Sequence, residues 1–158
     1  MPMRIGTPIP PLDGATEWVN GTVADAIAQA SGHITLVHFW SISCGICKEH
    51  LPRVAEWRDR YHDQGFRVIA VHMPRYPADT DVTAVQQAII EYGITQVCAI
   101  DNLHKLRDAF QNDQGFVPAY YLFDSEGKLR SFAAGERGLD LVAAALNRLL
   151  SATQKAGT

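Results

Sequence analysis

His38-Phe39-Trp40-Ser41-Ile42-Ser43-Cys44-Gly45-Ile46-Cys47-Lys48-Glu49-His50-Leu51-Pro52 joins two segments of opposite character. Upstream, Ile34–Trp40 (ITLVHFW) is apolar nearly throughout, the pattern of a central strand buried on both faces. Downstream, residues 44–61 place Leu51, Val54, Ala55 and Trp57 on one side and polar residues behind, the pattern of a helix. Cys44 and Cys47 stand in C-x-x-C spacing at the turn between them. A cysteine at a helix start faces unpaired N–H groups and the positive end of the helix dipole, and both favour thiolate over thiol. One helical turn brings the second sulfur within bonding range. Cys44 can then attack a disulfide and Cys47 can resolve the mixed disulfide.

Composition narrows the field. The 158 residues, 47% apolar and 20% charged, suit one domain with a real core. A net charge of -3 without a basic stripe speaks against nucleic acid as a partner. No run of 18 apolar residues exists, so no membrane span is expected. Residues 1–14 hold one Arg and no apolar h-region, which does not read as a signal peptide. The expected compartment is the cytoplasm, or an extracytoplasmic one if a leader has been removed. Three cysteines are too few for a disulfide scaffold, and C-x-x-C in a strand-helix context reads as redox first.

Outward from the motif, residues 1–14 form an extended lead-in rich in Pro and Gly. Trp18 and Val19 make a short strand, and a helix over 22–30 is capped by Thr22 with Asp25 three residues on. Pro52 sits inside the motif's helix and should kink it. Strand 66–72, a loop over 73–80, a helix capped by Thr80 or Asp81 and ending at Tyr92, strand 97–100 and a short helix over 104–111 follow. A hairpin over 119–134 and an amphipathic helix over 139–150 close the chain, with 151–158 expected to fray. This order implies a mixed sheet covered on both faces.

Two segments, HFWSISCGICKEHLP and GFVPAYYLFDSEGKLR, separated by roughly 70 residues, resemble the thioredoxin-like fold. Within it the chain looks most like TlpA/ResA-type thiol-disulfide oxidoreductases and the thioredoxin-like domains attached to NHL repeats. The resemblance covers about residues 5–150. It implies a three-layer α/β/α fold with a mixed central sheet, in one domain over 1–158. Residues 1–33 would be an N-terminal extension, 34–150 the core, 81–100 an inserted α-β unit and 151–158 a tail. Carried over by position, Cys44 would be the exposed nucleophile, Cys47 the buried resolving cysteine, and Pro118 a cis-proline beside them. Trp40, Ser43, Gly45, Ile46 and Val117 would face the partner, with Val117 pairing to an extended peptide. The partners implied are disulfide-containing proteins or small-molecule thiols and a reductant or oxidant protein. The protein would act as a monomer with no cofactor beyond the Cys44–Cys47 disulfide.

Four positions depart from the family. Ser43 replaces an aromatic residue and Ile46 a frequent proline. His38 stands where thioredoxin has an acid, and His50, with Glu49 beside it, where the TlpA/ResA branch has Glu. A neutral imidazole can accept a thiol proton near pH 7, so His38 and His50 are expected near Cys47 as its proton acceptors. Other readings stay open. Cys44, Cys47 and His50 could supply three zinc ligands, though no fourth is placed and no metal is expected. Lys48 after Cys47 excludes covalent haem attachment. A thiol-dependent peroxidase of the peroxiredoxin/AhpC-TSA type and a redox-inactive interaction module remain alternatives. Cys98 reads as a core cysteine.

Overall fold

The structure, a computed structural model, describes residues 3–156. Six strands form one mixed sheet: β1 (Glu17–Val19), β2 (Ile34–Trp40), β3 (Phe66–His72), β4 (Cys98–Ile100), β5 (Ala119–Phe123) and β6 (Leu129–Ala134). Their order in space is β1-β4-β3-β2-β5-β6. β2 and β3 pair in parallel, with α2 (Gly45–Arg60) as the crossover between them. On its other side β2 pairs antiparallel with β5, Leu36 opposite Leu122 and His38 opposite Tyr120. The sheet therefore changes direction of growth at β2, and the C-terminal end of such a strand is where open α/β sheets leave a site.

Alternation along the strands makes two apolar faces. Val37 and Phe39 join Ile69, Val71, Tyr121 and Phe123 on the face covered by α1 (Val23–Ala30) and α4 (Lys105–Ala109). Ile34, Leu36 and Trp40 look the other way, toward α2, α3 (Val82–Glu91) and α5 (Gly138–Ala156). All seven residues of β2 are buried, Thr35 and His38 included, as its nearly continuous apolar run implies. α2 lays Leu51, Val54 and Trp57 on the sheet; each such side chain contributes about 1.5–3 kcal/mol by leaving water. Gly65, at φ 83, reverses the chain before β3 in a conformation that costs other residues a Cβ clash.

Most element boundaries agree with the sequence. Thr22 and Asp25 form a full capping box, and Asp81 caps α3. Three expectations need correction. Residues 151–156 continue α5 instead of fraying, with the Thr153 hydroxyl donating to the Leu149 carbonyl. α4 is shorter than 104–111, because His104 (φ 58) and Gln111 (φ 56) adopt left-handed backbone that no helix admits. The 73–80 loop contains a 3-10 turn at Pro77–Thr80. The extended lead-in is tied to the sheet: Gly6 N–H donates to Leu129 O and Leu129 N–H to Thr7 O, so it runs along the start of β6. Met1 and Pro2 of the lead-in, and Gly157 and Thr158 of the tail, lie outside the described residues.

Candidate active site

Cys44 is the N-cap of α2, and its Sγ accepts the Cys47 N–H at 3.1 Å. The two cysteines are joined in a disulfide, with Cα atoms 5.3 Å apart. No acidic residue occupies the first turn of α2, so nothing there competes with a thiolate for the helix's unpaired donors. The Val117–Pro118 bond is cis. Val117 and the cysteine pair belong to one apolar cluster with Trp40 and Leu51. Asn112, buried, clamps the segment before the proline: its Nδ2 donates to Phe116 O and its Oδ1 accepts Phe116 N–H, both at 3.0 Å.

Beside the disulfide Ser43, Gly45 and Ile46 are exposed and Val117 is half-buried. Two expectations change here. Trp40 cannot face a partner: it is fully buried, edge-on to His72 at 4.9 Å, because the last residue of β2 points under α2. Cys44 is only 3% exposed, since in the oxidised pair its sulfur turns inward to Cys47 and that residue's N–H. Cys98 is buried in β4, and burial pushes its thiol up to about 12 against the opposing pull of the Trp40 side chain and the His72 backbone. It is a core cysteine.

Both named histidines lie on the α2 side of the sheet, gathered by a residue that sequence reasoning missed, Tyr120. His38 stacks on the Tyr120 ring at 4.9 Å and 11°. His50, one turn beyond Cys47, bonds through Nδ1 to the Tyr120 hydroxyl at 2.8 Å. His38 is completely buried, and neither ring nitrogen has a hydrogen-bond partner among the described residues. Burial, aided by the His50 charge, drives its pKa down to about 3. His38 is therefore neutral, as a proton acceptor must be, but holds a proton weakly. His50 is also lowered, first by burial, while Glu49, Asp140 and Glu136 pull the other way. The strand register sets His38 opposite Tyr120, a pairing that only the folded sheet creates.

The turn before Cys44 is fastened by Asp79, also unforeseen. Its Oδ2 accepts from the hydroxyls of Ser41 and Ser43 and from the backbone N–H groups of Arg75 and Tyr76, at 2.8–3.2 Å. Ile42 N–H donates to His72 Nε2 at 3.1 Å. Burial works against the Asp79 charge, yet the donated bonds prevail and leave its carboxyl below the usual range. A depressed carboxyl stabilises the fold in full above its unfolded value near pH 4, and that contribution drains as pH falls through the folded value. Asp79→Asn should thus lose about 1–2 kcal/mol at pH 7. The loss should shrink toward pH 3; urea melts across that range check it, and a pH-independent difference would contradict the charge argument.

Comparison with known proteins places this geometry. The AhpC/TSA family profile matches residues 5–132. The Bacillus subtilis thiol-disulfide oxidoreductase YkuV is 45% identical over 153 residues, spanning 96% of this chain and 100% of YkuV. A solution structure of a thioredoxin-like protein in its oxidised form superposes with a TM-score of 0.82 at 44% identity, covering 94% of this chain and 98% of that one. DipZ of Mycobacterium tuberculosis is 31% identical over 144 residues, which is 90% of this chain but 20% of DipZ. With its C-x-x-C disulfide at the head of α2 and its mixed sheet between helical layers, the chain belongs to the AhpC/TSA family and is a thioredoxin-like thiol-disulfide oxidoreductase.

Proposed function

We propose that the protein trades electrons with an extended disulfide-bearing partner through Cys44, using no cofactor beyond its own dithiol and working in the cytoplasm as a monomer. The observation that carries this reading is the Cys44–Cys47 disulfide at the N-terminus of α2, in one apolar cluster with Val117 of the cis Val117–Pro118 bond. In the reducing direction the Cys44 thiolate bonds to one partner sulfur, and the other partner sulfur leaves as a thiolate. The Cys47 thiol loses its proton and attacks Cys44. This forms the Cys44–Cys47 bond and releases the second partner sulfur with its electron pair. Two electrons pass to the partner, which takes up two protons. Oxidation of a dithiol partner is the reverse. Ser43, Gly45, Ile46 and Val117 form the contact surface, and the backbone of Val117 receives the partner strand.

His38 and His50 serve the resolving step in this proposal, with Tyr120 holding both. Equilibration of the purified protein in glutathione buffers of graded ratio is the direct test. Cys44–Cys47 should interconvert reversibly between dithiol and disulfide, with a midpoint between about -270 and -180 mV. A pair that stays locked in either state would leave an interaction module. Peroxide consumption with a thiol reductant, at rates above those of disulfide exchange, would shift the reading to a peroxidase.

A further inference from the structure

A cavity of about 360 Å³ opens beside the turn that precedes Cys44, with Arg75, Tyr76, His104 and Arg107 on its walls and Gly115 at the side of the cis-proline segment. Its position follows from the fold: the residues after β3 and the start of α4 meet at the sheet's C-terminal edge, where Cys44 sits. Arg75 is exposed yet fixed. Its Nη2 donates to Ser43 O at 2.7 Å and to Ser43 Oγ at 3.1 Å, and its Nε donates to Ser43 Oγ at 3.2 Å. The guanidinium lies 5.3 Å from the centre of the Tyr76 ring. Nη1 makes no hydrogen bond among the described residues. A cation held this way spends little entropy on gripping a ligand, and the Nη1 donors left over can bond a carboxylate with charge assistance.

The neighbouring anions are already engaged. Asp79 is buried and accepts four hydrogen bonds on one oxygen. Asp108 pairs with Arg107 at 3.2 Å. His104 Nε2 donates to the Pro74 carbonyl, fixing its ring in the wall. The chain carries a net charge of -3, so a cationic pocket here runs against the whole molecule's balance.

We infer that this pocket is an anion subsite that receives a carboxylate flanking the disulfide under attack, with Arg75 as the residue that selects it. The inference rests on the disulfide-exchange reading and names the class of substrate for the same site. The carboxylate belongs either to an acidic side chain next to a cysteine in a peptide or to a free small-molecule disulfide. Because Arg75 is hydrogen-bonded to the residue before Cys44, a carboxylate on Nη1 lies within a residue or two of the sulfur that Cys44 attacks.

The test measures second-order rates of the reduced protein with two matched pairs of disulfides. One pair is glutathione disulfide and its full ester. The other is a cysteine peptide disulfide with Asp or Asn beside the cysteine. The wild type should prefer the acidic member of at least one pair by about fivefold to tenfold at low salt. The preference should fall toward unity in 0.5 M salt by screening, on the order of what a Debye length of about 4–5 Å implies. Preference for only the peptide or only the glutathione pair identifies the source of the carboxylate. Arg75→Gln should abolish the ratio whatever it does to the absolute rates, and Arg75→Lys should restore part of it. A wild-type ratio near one, or a ratio that survives Arg75→Gln, would overturn the subsite alone. A wild type that exchanges with no disulfide would bring down the oxidoreductase reading and the subsite together.

Discussion

Cys44→Ser is expected to abolish disulfide exchange, whereas Cys47→Ser should turn the protein into a trap that holds its partner as a mixed disulfide. The asymmetry follows from position. Cys44 caps α2 and borders the exposed rim of Ser43, Gly45 and Ile46, while Cys47 is fully enclosed. Only Cys44 can meet an incoming sulfur without rearrangement of the helix. The loss for Cys44→Ser should be on the order of 10³ or more, as when the nucleophile leaves a catalytic unit. Non-reducing electrophoresis and mass spectrometry of each variant with a disulfide substrate settle the matter. A mixed disulfide captured on Cys47 in the Cys44→Ser variant would reverse the assignment.

His38→Leu should separate stability from catalysis. An imidazole with two unpartnered nitrogens in the core costs about 1–3 kcal/mol. The stack on Tyr120 gives back about 0.5–1.5 kcal/mol. Leucine, flanked on its face by Leu36 and Trp40, should therefore raise the unfolding free energy by about 1 kcal/mol at pH 7. The acid limb should change too. A histidine lowered from 6.5 to about 3 leaves the folded state intact above pH 6.5 and weakens it progressively between those values, because the unfolded chain binds the proton first. His72, lowered to about 4 mainly by burial, acts in the same window and survives in the variant. The slope of stability against pH between 6.5 and 4 should thus flatten without vanishing. Stopped-flow kinetics should show the resolving step slowed by roughly 10- to 100-fold, below or at the lower end of general-base effects because burial has weakened the base. The first attack by Cys44 should be unchanged. A variant that resolves normally would leave His38 as a core residue only.

Most of the fold was legible because its signals are local. The nearly continuous apolar run of β2, the stripe of Leu51, Val54 and Trp57, and the caps at Thr22 and Asp81 each declare an element from a few residues. The limits of α4 were not legible, since nothing in the residue types of His104 and Gln111 announces a left-handed backbone. The dithiol could be read from its spacing together with the strand-to-helix turn it occupies. Its support could not. Asp79 lies 36 residues from Ser43 and Tyr120 lies 70 from His50, so each contact exists only after the chain is folded. Trp40 was misjudged for a related reason: proximity in sequence to Cys44 says nothing about which side of the sheet a strand-end residue takes.

β2 pairs with β3 over all seven of its residues and with β5 over 35–39, and every residue of it is buried. Amides in such a strand exchange with deuterium only when the whole domain opens, while loops and termini open cheaply and often. The dithiol thus stands at a seam between the slowest and the fastest parts of the molecule. Gly45 and Ile46, exposed beside the disulfide, can adjust at the rim. Those adjustments need not propagate into the slab beneath. Amides at its centre should therefore be the last to exchange, well after those of the rim.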